Sequence, residues 1–480
     1  ETFTAGPSMA PSPPKRIRRK RVEGLCTLWD YPALLRLLDS LDIKRSHAEP
    51  LLRALTAKVV QAPAGETWGD VGVTEQTLVD LGLPKRAAEV LDRSTPFGNK
   101  LATAVTSADG STTKMVFELH DGHKVESVVM RHDDRTTICV SSQVGCQMGC
   151  TFCATGTMPV VGDLDAGEIV EQLLAAQRFE SSANRPAVRN AVFMGMGEPL
   201  NNYDSVLSAV KTMTDLGQLG SFALPQSRVT ISTVGVVPRM RQLARDLPGL
   251  SLALSLHAPT QELRQKIVPS AKNVPMEELL AAMDLHLETK TARAMIEYVL
   301  LADVNDTDDC AKELGQLLAP RARKVMVNLI PYNPGASSMP DGFRAPQHQR
   351  VERFQQILAN CSIMTRVRRE MGQDISGACG QLALTVRQEG GSPTDLEDFV
   401  AWRRRQPQSA KMAVHAECAA VAAAVTCTSQ TAEVPQLMKR CAQITSWPWF
   451  QFSLLATAAI TAATTLWLRP HMRIRMKCMG

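Results

Sequence analysis

The central part of the chain alternates between two hydrophobic patterns. Short apolar runs typical of buried strands alternate with longer segments whose apolar residues recur at helical spacing. The strand-like runs are 137–144, 191–196, 229–233, 250–256, 295–301 and 325–330. The helical segments lie near 165–180, 203–216, 236–246, 276–290, 307–318 and 347–360. This repeat predicts an α/β fold with a parallel sheet and right-handed crossovers, either a partial (β/α)6 barrel or a doubly wound sheet.

The region before this repeat has a different pattern. Leucines recur at helical spacing from residue 25 to about residue 60, and a second helical segment covers 75–93. Residues 114–130 then alternate like two paired strands around the turn signal Asp121-Gly122. We therefore expect a small α+β accessory domain over 25–120, followed by the main domain over 121–405.

The two ends of the chain differ from the centre in composition. Residues 1–24 are proline-rich and basic without apolar periodicity, which predicts a disordered tail. The sequence KRIRRKR at 15–21 and the shorter run at 403–405 concentrate positive charge. A solvated tail and a contact with nucleic-acid phosphates both explain these runs, and the net charge of +5 does not decide between them.

An alanine-rich extension covers 406–480, and its segment 447–468 carries no charge. That segment is long enough to span a bilayer, and it has tryptophans near both ends and cations after it. Its many alanines and threonines make its hydrophobicity marginal. A transmembrane segment and an amphipathic or unstructured tail are therefore equal expectations.

Four of the 12 cysteines crowd around the end of the first predicted strand. Three of them, Cys146, Cys150 and Cys153, form a CxxxCxxC motif in a loop that also contains glycines. Three thiolates on one short loop can bind three irons of a 4Fe-4S cluster and leave the fourth iron open. A zinc site would require a fourth ligand at suitable spacing, and none is adjacent. We therefore expect an iron–sulfur cluster with one open iron, with reduced thiols as the simpler alternative. The motif resembles that of radical SAM enzymes, which implies that the open iron binds S-adenosyl-L-methionine (SAM).

Polar or flexible residues also follow the other predicted strands. Gly197 and Glu198, in GMGEP, are similar to the element that holds the amino group of SAM in radical SAM proteins. The remaining candidates at corresponding strand ends are Ser232, Ser255, Leu256, His257 and Asn333. Each of them alone is explained by an ordinary strand-end cap. Because the ends of parallel strands share one edge, the whole set predicts contacts with the ribose, adenine or carboxylate of SAM.

Several longer segments together give the chain its resemblance to a known family. They are RTTICVSSQVGCQMGCTFCATG, FMGMGEPLNN, VTISTVGVVP, LALSLHAP, NLIPYNP and GQDISGACGQL. With them the chain resembles the RlmN/Cfr family of radical SAM RNA methyltransferases over roughly residues 25–390. The last segment is the most specific, because radical SAM enzymes in general lack it. Members usually end near the position of residue 405, so the extension lies outside the resemblance.

The resemblance implies a mechanism with two further cysteines. Cys379 would accept a methyl group from one SAM, and the radical made from a second SAM would take hydrogen from that S-methyl group. The methylene radical would add to C2 of adenine, and Cys139 would release the product by forming a disulfide with Cys379. Glu126 matches a position treated in the family as a proton acceptor. Without the resemblance, both cysteines would be interpreted as structural and Glu126 as a surface residue of a hairpin.

The resemblance also implies the substrate and partners. The expected substrate is an unstacked adenine in ribosomal RNA, and possible further targets include transfer RNA. The alternatives are a relative that methylates C8 and a non-catalytic RNA-binding protein that kept the fold. An electron donor such as flavodoxin or ferredoxin, a monomeric state and a cytoplasmic location are expected. Because the sequence begins with Glu1, a plastid or mitochondrial matrix remains the alternative location, with or without a membrane tether.

Overall fold

The computed structural model describes residues 19, 27–61, 74–92, 98–215, 222, 224–288, 293–333, 342–368 and 370–382. Most of the basic run at 15–21, the run at 403–405 and the whole extension with its segment 447–468 lie outside these residues. The described residues belong to one compact unit, which ends at residue 397. Within the described ranges, no helix is both long and apolar enough to cross a bilayer.

Twelve strands lie in the described residues and form two sheets. The strands are β1 (Asn99–Thr106), β2 (Thr112–Leu119), β3 (Lys124–Arg131), β4 (Thr136–Cys139), β5 (Gln143–Val144), β6 (Gly162–Asp163), β7 (Val188–Phe193), β8 (Val229–Thr233), β9 (Ser251–Ser255), β10 (Ala294–Leu300), β11 (Val325–Pro331) and β12 (Thr365–Val367). The large sheet has the order β1-β2-β3-β4-β7-β8-β9-β10-β11-β12, and β5 pairs with β6. Strands β1 to β4 pair antiparallel, whereas every neighbouring pair from β4 to β12 is parallel.

The helices of the described residues fall into two groups. They are α1 (Tyr31–Ser40), α2 (Ala48–Gln61), α3 (Glu75–Asp80), α4 (Lys85–Asp92), α5 (Ala166–Ser182), α6 (Tyr203–Asp215), α7 (Val237–Asp246), α8 (Gln261–Ile267), α9 (Met276–Leu287), α10 (Asp308–Leu318) and α11 (His348–Asn360). Helices α1 to α4 precede the sheet, and α5 to α11 connect its parallel strands. The predicted α/β fold, with six strand–helix units and an accessory α+β region before them, is confirmed.

Several details of the predicted elements were wrong. The sequence did not indicate β1, β12 or α8, and the predicted continuous strand 137–144 is divided into β4 and β5. Between these two strands, the Gln172 side chain accepts a hydrogen bond from the Ser141 N–H and donates one to the Ser141 carbonyl. Because a side chain of α5 satisfies these backbone groups, the chain leaves the large sheet without losing their hydrogen bonds.

The accessory region and the parallel strands share one sheet. The predicted boundary at 120–121 lies in the turn between β2 and β3, which pair from Thr112↔Met130 to Glu118↔Lys124. Helix α2 packs on α5, and the buried Glu171 of α5 accepts hydrogen bonds from the backbone of Gly98 and Asn99. Burial raises the pKa of Glu171 to about 8 despite these bonds. The accessory region therefore contributes both strands and helix contacts to the main core.

The side chain of Arg19, in the middle of the basic run, is largely buried. Its guanidinium lies 2.5 Å from Asp121 in the β2–β3 turn and 2.7 Å from Glu168 in α5, and its side chain is 5% exposed. It also donates to the Asp163 carbonyl in β6. Burial alone would lower the pKa of Arg19, but the two carboxylates outweigh that effect and raise it. Both explanations of the basic run, a solvated tail and a phosphate contact, are wrong for Arg19, because its guanidinium pairs with Asp121 and Glu168 inside the protein.

We expect Arg19→Ala to lower the free energy of unfolding by about 3–5 kcal/mol, because it leaves two buried carboxylates without their cation. Urea unfolding of the variant and of Arg36→Ala, a matched change at an exposed position of α1, measures this. Burial raises the pKa of Glu168, but bonds from Arg19 and His120 outweigh it, so the pKa is lowered. The stabilisation is therefore present above the ordinary carboxyl pKa and is lost as the pH falls through the lowered value. Equal stability of Arg19→Ala and wild type at neutral pH would contradict this assignment.

Candidate active site

One cavity lies at the C-terminal ends of β4, β7 and β11, where the chain after β12 crosses them. It encloses about 590 Å³, part of which is open to solvent. Its walls include three thiols from distant parts of the sequence, those of Cys139, Cys153 and Cys379. This is the edge of a parallel sheet at which ligands and reacting groups gather in α/β enzymes.

The CxxxCxxC loop runs between β5 and β6 and carries three largely buried thiols. Burial raises the pKa of Cys146 to about 12, raises that of Cys150 well above its ordinary value, and also raises that of Cys153. The charges of these cysteines also raise one another's pKa, so the thiols lie near each other. Backbone N–H groups donate to Cys146 and Cys153 and act in the opposite direction.

Such a set of buried, clustered thiols with backbone donors fits a group that brings its own positive charge, as metal centres do. Within the described ranges, no three His, Cys, Asp or Glu side chains are placed to hold a single metal ion. A 4Fe-4S cluster has a different requirement, since each thiolate binds a different iron. Cys146, Cys150 and Cys153 are therefore the residues that fit the predicted cluster.

Two glycines shape this loop in different ways. Gly145 has a φ of +78°, and a Cβ there would lie 2.2 Å from the Pro159 carbonyl oxygen. Gly149 has a φ of +65°, but a Cβ there would meet nothing within 4 Å. Only Gly145 thus combines a left-handed backbone with a close approach of the returning chain.

We expect Gly145→Ala to lose most of the bound iron and sulfide, because the added methyl group must displace the Pro159 backbone and with it the cysteine loop. Gly149→Ala is the matched control. It carries the same change at a left-handed position without a clash, and we expect it to keep most of the cluster. Iron and sulfide per chain after anaerobic reconstitution measure both variants. Equal cluster content in the two variants would show that the close approach is unimportant.

The candidate SAM residues lie at the ends of β7, β8 and β9. Gly197 has a φ of +100°, and a Cβ there would lie 2.6 Å from Gln143. Glu198 is buried, and its two oxygens accept backbone hydrogen bonds from Leu200 and Val234, each of 3.0 Å. The Ser232 and Ser255 hydroxyls lie 3.3 Å apart. Burial raises the pKa of Glu198. The charge of Glu198 contributes to the raised pKa of Cys146 and Cys150, so the Glu198 carboxylate lies beside the cysteine loop.

Leu256 and His257 hold the chain after β9. Leu256 is fully buried, and its N–H donates to the Glu297 carbonyl. His257 has a φ of +61°, and its Nδ1 accepts a 3.0 Å hydrogen bond from the Val299 N–H. Its ring meets the Phe152 ring edge-on, with 4.7 Å between the ring centroids. Burial, followed by the nearby Arg264 cation, lowers the pKa of His257 to about 3, so the ring is neutral. Its Nε2 therefore carries the proton, and the ring supports the cysteine loop through Phe152, which lies between Cys150 and Cys153.

The segment that carries Cys379 is tied to the cysteine loop and to β11. The Gly380 carbonyl accepts a 2.8 Å hydrogen bond from Ala154, and the Cys379 carbonyl accepts one of 3.3 Å from Asn333. Cys139 ends β4 and also lines the cavity. Burial, followed by the charge of Cys379, raises the pKa of Cys139 to about 12, so the two thiols are close enough to interact. Both are free thiols.

Glu126 is fully buried in β3, so its interpretation as a surface residue is wrong. It alternates along the strand with Val128 and Met130, which line the cavity, and therefore belongs to the same face of the sheet. The Lys114 ammonium of β2 lies 3.1 Å from its carboxylate. The hairpin that carries Glu126 was predicted from the sequence, but burial of the carboxylate was not.

Two cationic residues of this region were missed by sequence reasoning. They are Lys114 and Arg368. Arg368 follows β12 and lines the cavity. Burial alone would lower the pKa of Arg368, but the charges of Cys379, Glu297 and Cys139 outweigh it and raise it. Each residue stands in a short polar stretch without a chemical motif, so no local signal could have distinguished it from a surface cation.

The sequence profile of the Radical SAM superfamily matches residues 140–312. A probable dual-specificity RNA methyltransferase RlmN from Desulforudis audaxviator is 41% identical over 316 residues, which cover 65% of this chain and 94% of that protein. A dual-specificity RNA methyltransferase RlmN from Syntrophobacter fumaroxidans is 44% identical over 57% of this chain and 77% of its own length. The crystal structure of a radical SAM methyltransferase from Sphaerobacter thermophilus has 37% identity and a TM-score of 0.64, and covers 74% of this chain and 98% of that one. The fold, the cysteine loop and these similarities show that the chain belongs to the RlmN family of radical SAM RNA methyltransferases.

Proposed function

We propose that the protein methylates C2 of an adenine in ribosomal RNA, and also in transfer RNA, through a methyl group carried by Cys379. Family membership implies a 4Fe-4S cluster, SAM and an RNA substrate. The observation that carries the proposal is the single cavity lined by Cys139, Cys153 and Cys379. This cavity supports the proposal because the thiols of Cys379 and Cys139 lie there together with the last cysteine of the cluster motif. When bound at Cys146, Cys150 and Cys153, the cluster together with SAM supplies the methyl group and the radical.

The chain's own groups have separate tasks in this proposal. Cys379 attacks the methyl group of SAM as a thiolate, and two molecules of SAM are used per turnover. Burial raises the pKa of Cys379, whereas the Arg368 cation acts in the opposite direction. Arg368 therefore favours the thiolate that the transfer requires. Thiol–disulfide exchange requires a neighbouring thiol, and Cys139, which lines the same cavity, supplies it.

The remaining assignments follow from the position of the cavity. Gly197, Glu198, Ser232, Ser255, Leu256, His257 and Asn333 are proposed to contact or support SAM. The target adenine must leave its stack to reach the sheet edge, which favours a loop or another single-stranded region. The relatives' names describe dual-specificity RNA methyltransferases, which supports more than one RNA target. We also propose a monomeric cytoplasmic enzyme that is reduced by flavodoxin or ferredoxin.

The position of the new methyl group tests the proposal. The protein is reconstituted with iron and sulfide without oxygen and supplied with reductant, SAM and unmodified ribosomal or transfer RNA. Digested RNA is compared with authentic 2-methyladenosine and 8-methyladenosine by mass spectrometry, with Cys150→Ala as the matched inactive control. We expect 2-methyladenosine from the wild type alone. The C8 product would place the protein with the relatives that methylate C8, and a loaded cluster without any product would favour an RNA-binding protein that kept the fold.

A further inference from the structure

We propose that Lys114 is a positioning residue that keeps Glu126 ionised as the proton acceptor and ties it to the segment carrying Cys379. The inference deepens the proposed function and rests on it. It assigns to the β2–β3 hairpin a part in the reaction beyond its contribution to the sheet.

The register of the hairpin brings the two side chains together. Val116 pairs with Glu126 and Lys114 pairs with Val128, so Lys114 and Glu126 are diagonal neighbours on one face of the sheet. Val128 on that same face lines the cavity. The Lys114 Nζ lies 3.1 Å from Glu126 Oε1, and the two side chains are 1% and 0% exposed.

Glu126 differs from the other buried carboxylates near the site in what surrounds its oxygens. Glu198 accepts two backbone hydrogen bonds, and Glu297 accepts one from Asn328. Neither oxygen of Glu126 accepts a hydrogen bond from the described residues. The ammonium therefore compensates the charge of Glu126 from the side of Oε1, and Oε2 has no hydrogen-bond donor among the described residues. A carboxylate that is ionised and has free lone pairs is suited to accept a proton.

Lys114 also reaches the segment that carries the proposed methyl group. Its Nζ donates a 3.4 Å hydrogen bond to the Ser376 carbonyl. Ser376 has a φ of +51°, an unusual backbone conformation for a residue with a side chain, and it lies three positions before Cys379. One ammonium thus contacts both the proton acceptor and the segment that presents the substrate-linked sulfur.

The step assigned to Glu126 is a proton transfer from the adenine that is linked to Cys379 through a methylene group. The C–H bond at C2 breaks, the proton forms an O–H bond with Glu126, and the electron pair stays with the adduct. No electron enters or leaves in this step. Without the ammonium, the buried carboxyl favours its neutral form, since an isolated buried charge is costly. A neutral carboxylic acid cannot accept the proton, so the adduct should persist.

Lys114→Met tests this because it keeps the length of the side chain and removes its charge. We expect 2-methyladenosine formation to fall by about 100-fold, the usual size of a lost acid–base contribution. The covalent protein–RNA adduct should accumulate as a slow band on a denaturing gel. Lys114→Arg should recover most of the activity, and Lys124→Met, the same change at an exposed position of the same hairpin, should behave as wild type.

Thermal unfolding of the proteins without cluster provides a second measurement. Lys114→Met should lower the unfolding temperature, and the added Glu126→Gln should restore part of it by removing the buried carboxyl group that has lost its cation. If the wild type is active, two results for Lys114→Met would overturn this inference while leaving the proposed function intact. One is full activity, and the other is the absence of both product and adduct. Failure of the double variant to regain stability would also overturn it. A wild type that makes no 2-methyladenosine would overturn the proposed function, and this inference would fall with it.

Discussion

Cys379→Ala is expected to lower RNA methylation by roughly 1,000-fold or more, the scale seen when a covalent nucleophile is removed. The methyl group has no other carrier in the proposed route, because C2 of adenine is not nucleophilic and cannot attack SAM directly. Cys379 lines the cavity together with Cys153, so replacing Cys379 with alanine should not unfold the protein. The product is measured as 2-methyladenosine in digested RNA.

Cys361→Ala is the matched control for this variant. Cys361 is another free, partly exposed cysteine, and it follows α11 outside the cavity. We expect it to keep normal activity and cluster content. A Cys379→Ala variant that retained its cluster and methylated RNA at the wild-type rate would exclude Cys379 as the methyl carrier.

Cys139→Ala should have a different consequence, the accumulation of RNA covalently attached to the protein. In the proposed route Cys139 releases the methylated base by attacking the sulfur of Cys379, and both residues line one cavity. Removing only the second thiol permits formation of the link but prevents its release. After nuclease digestion, intact-protein mass spectrometry should detect a nucleotide attached to Cys379 through a methylene group.

The control for the adduct is the double variant Cys139→Ala/Cys379→Ala, which lacks the site of attachment and should remain free of RNA. Cys310→Ala, at another buried cysteine outside the cavity, should turn over normally. Release of free product by Cys139→Ala at the wild-type rate would show that another group resolves the link.

Features that have a local sequence pattern could be predicted from the sequence alone. The run 229–233 coincides with β8, because a short β-branched apolar segment has one stable arrangement inside a parallel sheet. The cysteine motif and the strand-end residues were likewise visible from spacing. The split of 137–144 was not, because it depends on hydrogen bonds from Gln172 in a helix that follows later.

Features that depend on distant pairing could not be predicted. Arg19 forms hydrogen bonds with residues 102 and 149 positions away. The sequence therefore showed a basic run but could not predict the partners of Arg19. Burial of Glu126 and its approach to Lys114 depend on the register of a hairpin and on its place in the large sheet. Arg368 gains its role only because the chain after β12 turns into the cavity. In each case a buried charge is held by a partner that local propensity does not encode.

The most direct test of the central claim is the isotopic composition of the product made from SAM with a fully deuterated methyl group. The methyl carried by Cys379 must lose one hydrogen isotope to the radical and regain hydrogen from solvent. We therefore expect 2-methyladenosine that retains two deuteriums, together with 5′-deoxyadenosine that has gained one. A product methyl group that retains all three deuteriums would mean direct displacement and would exclude Cys379 as the methyl carrier.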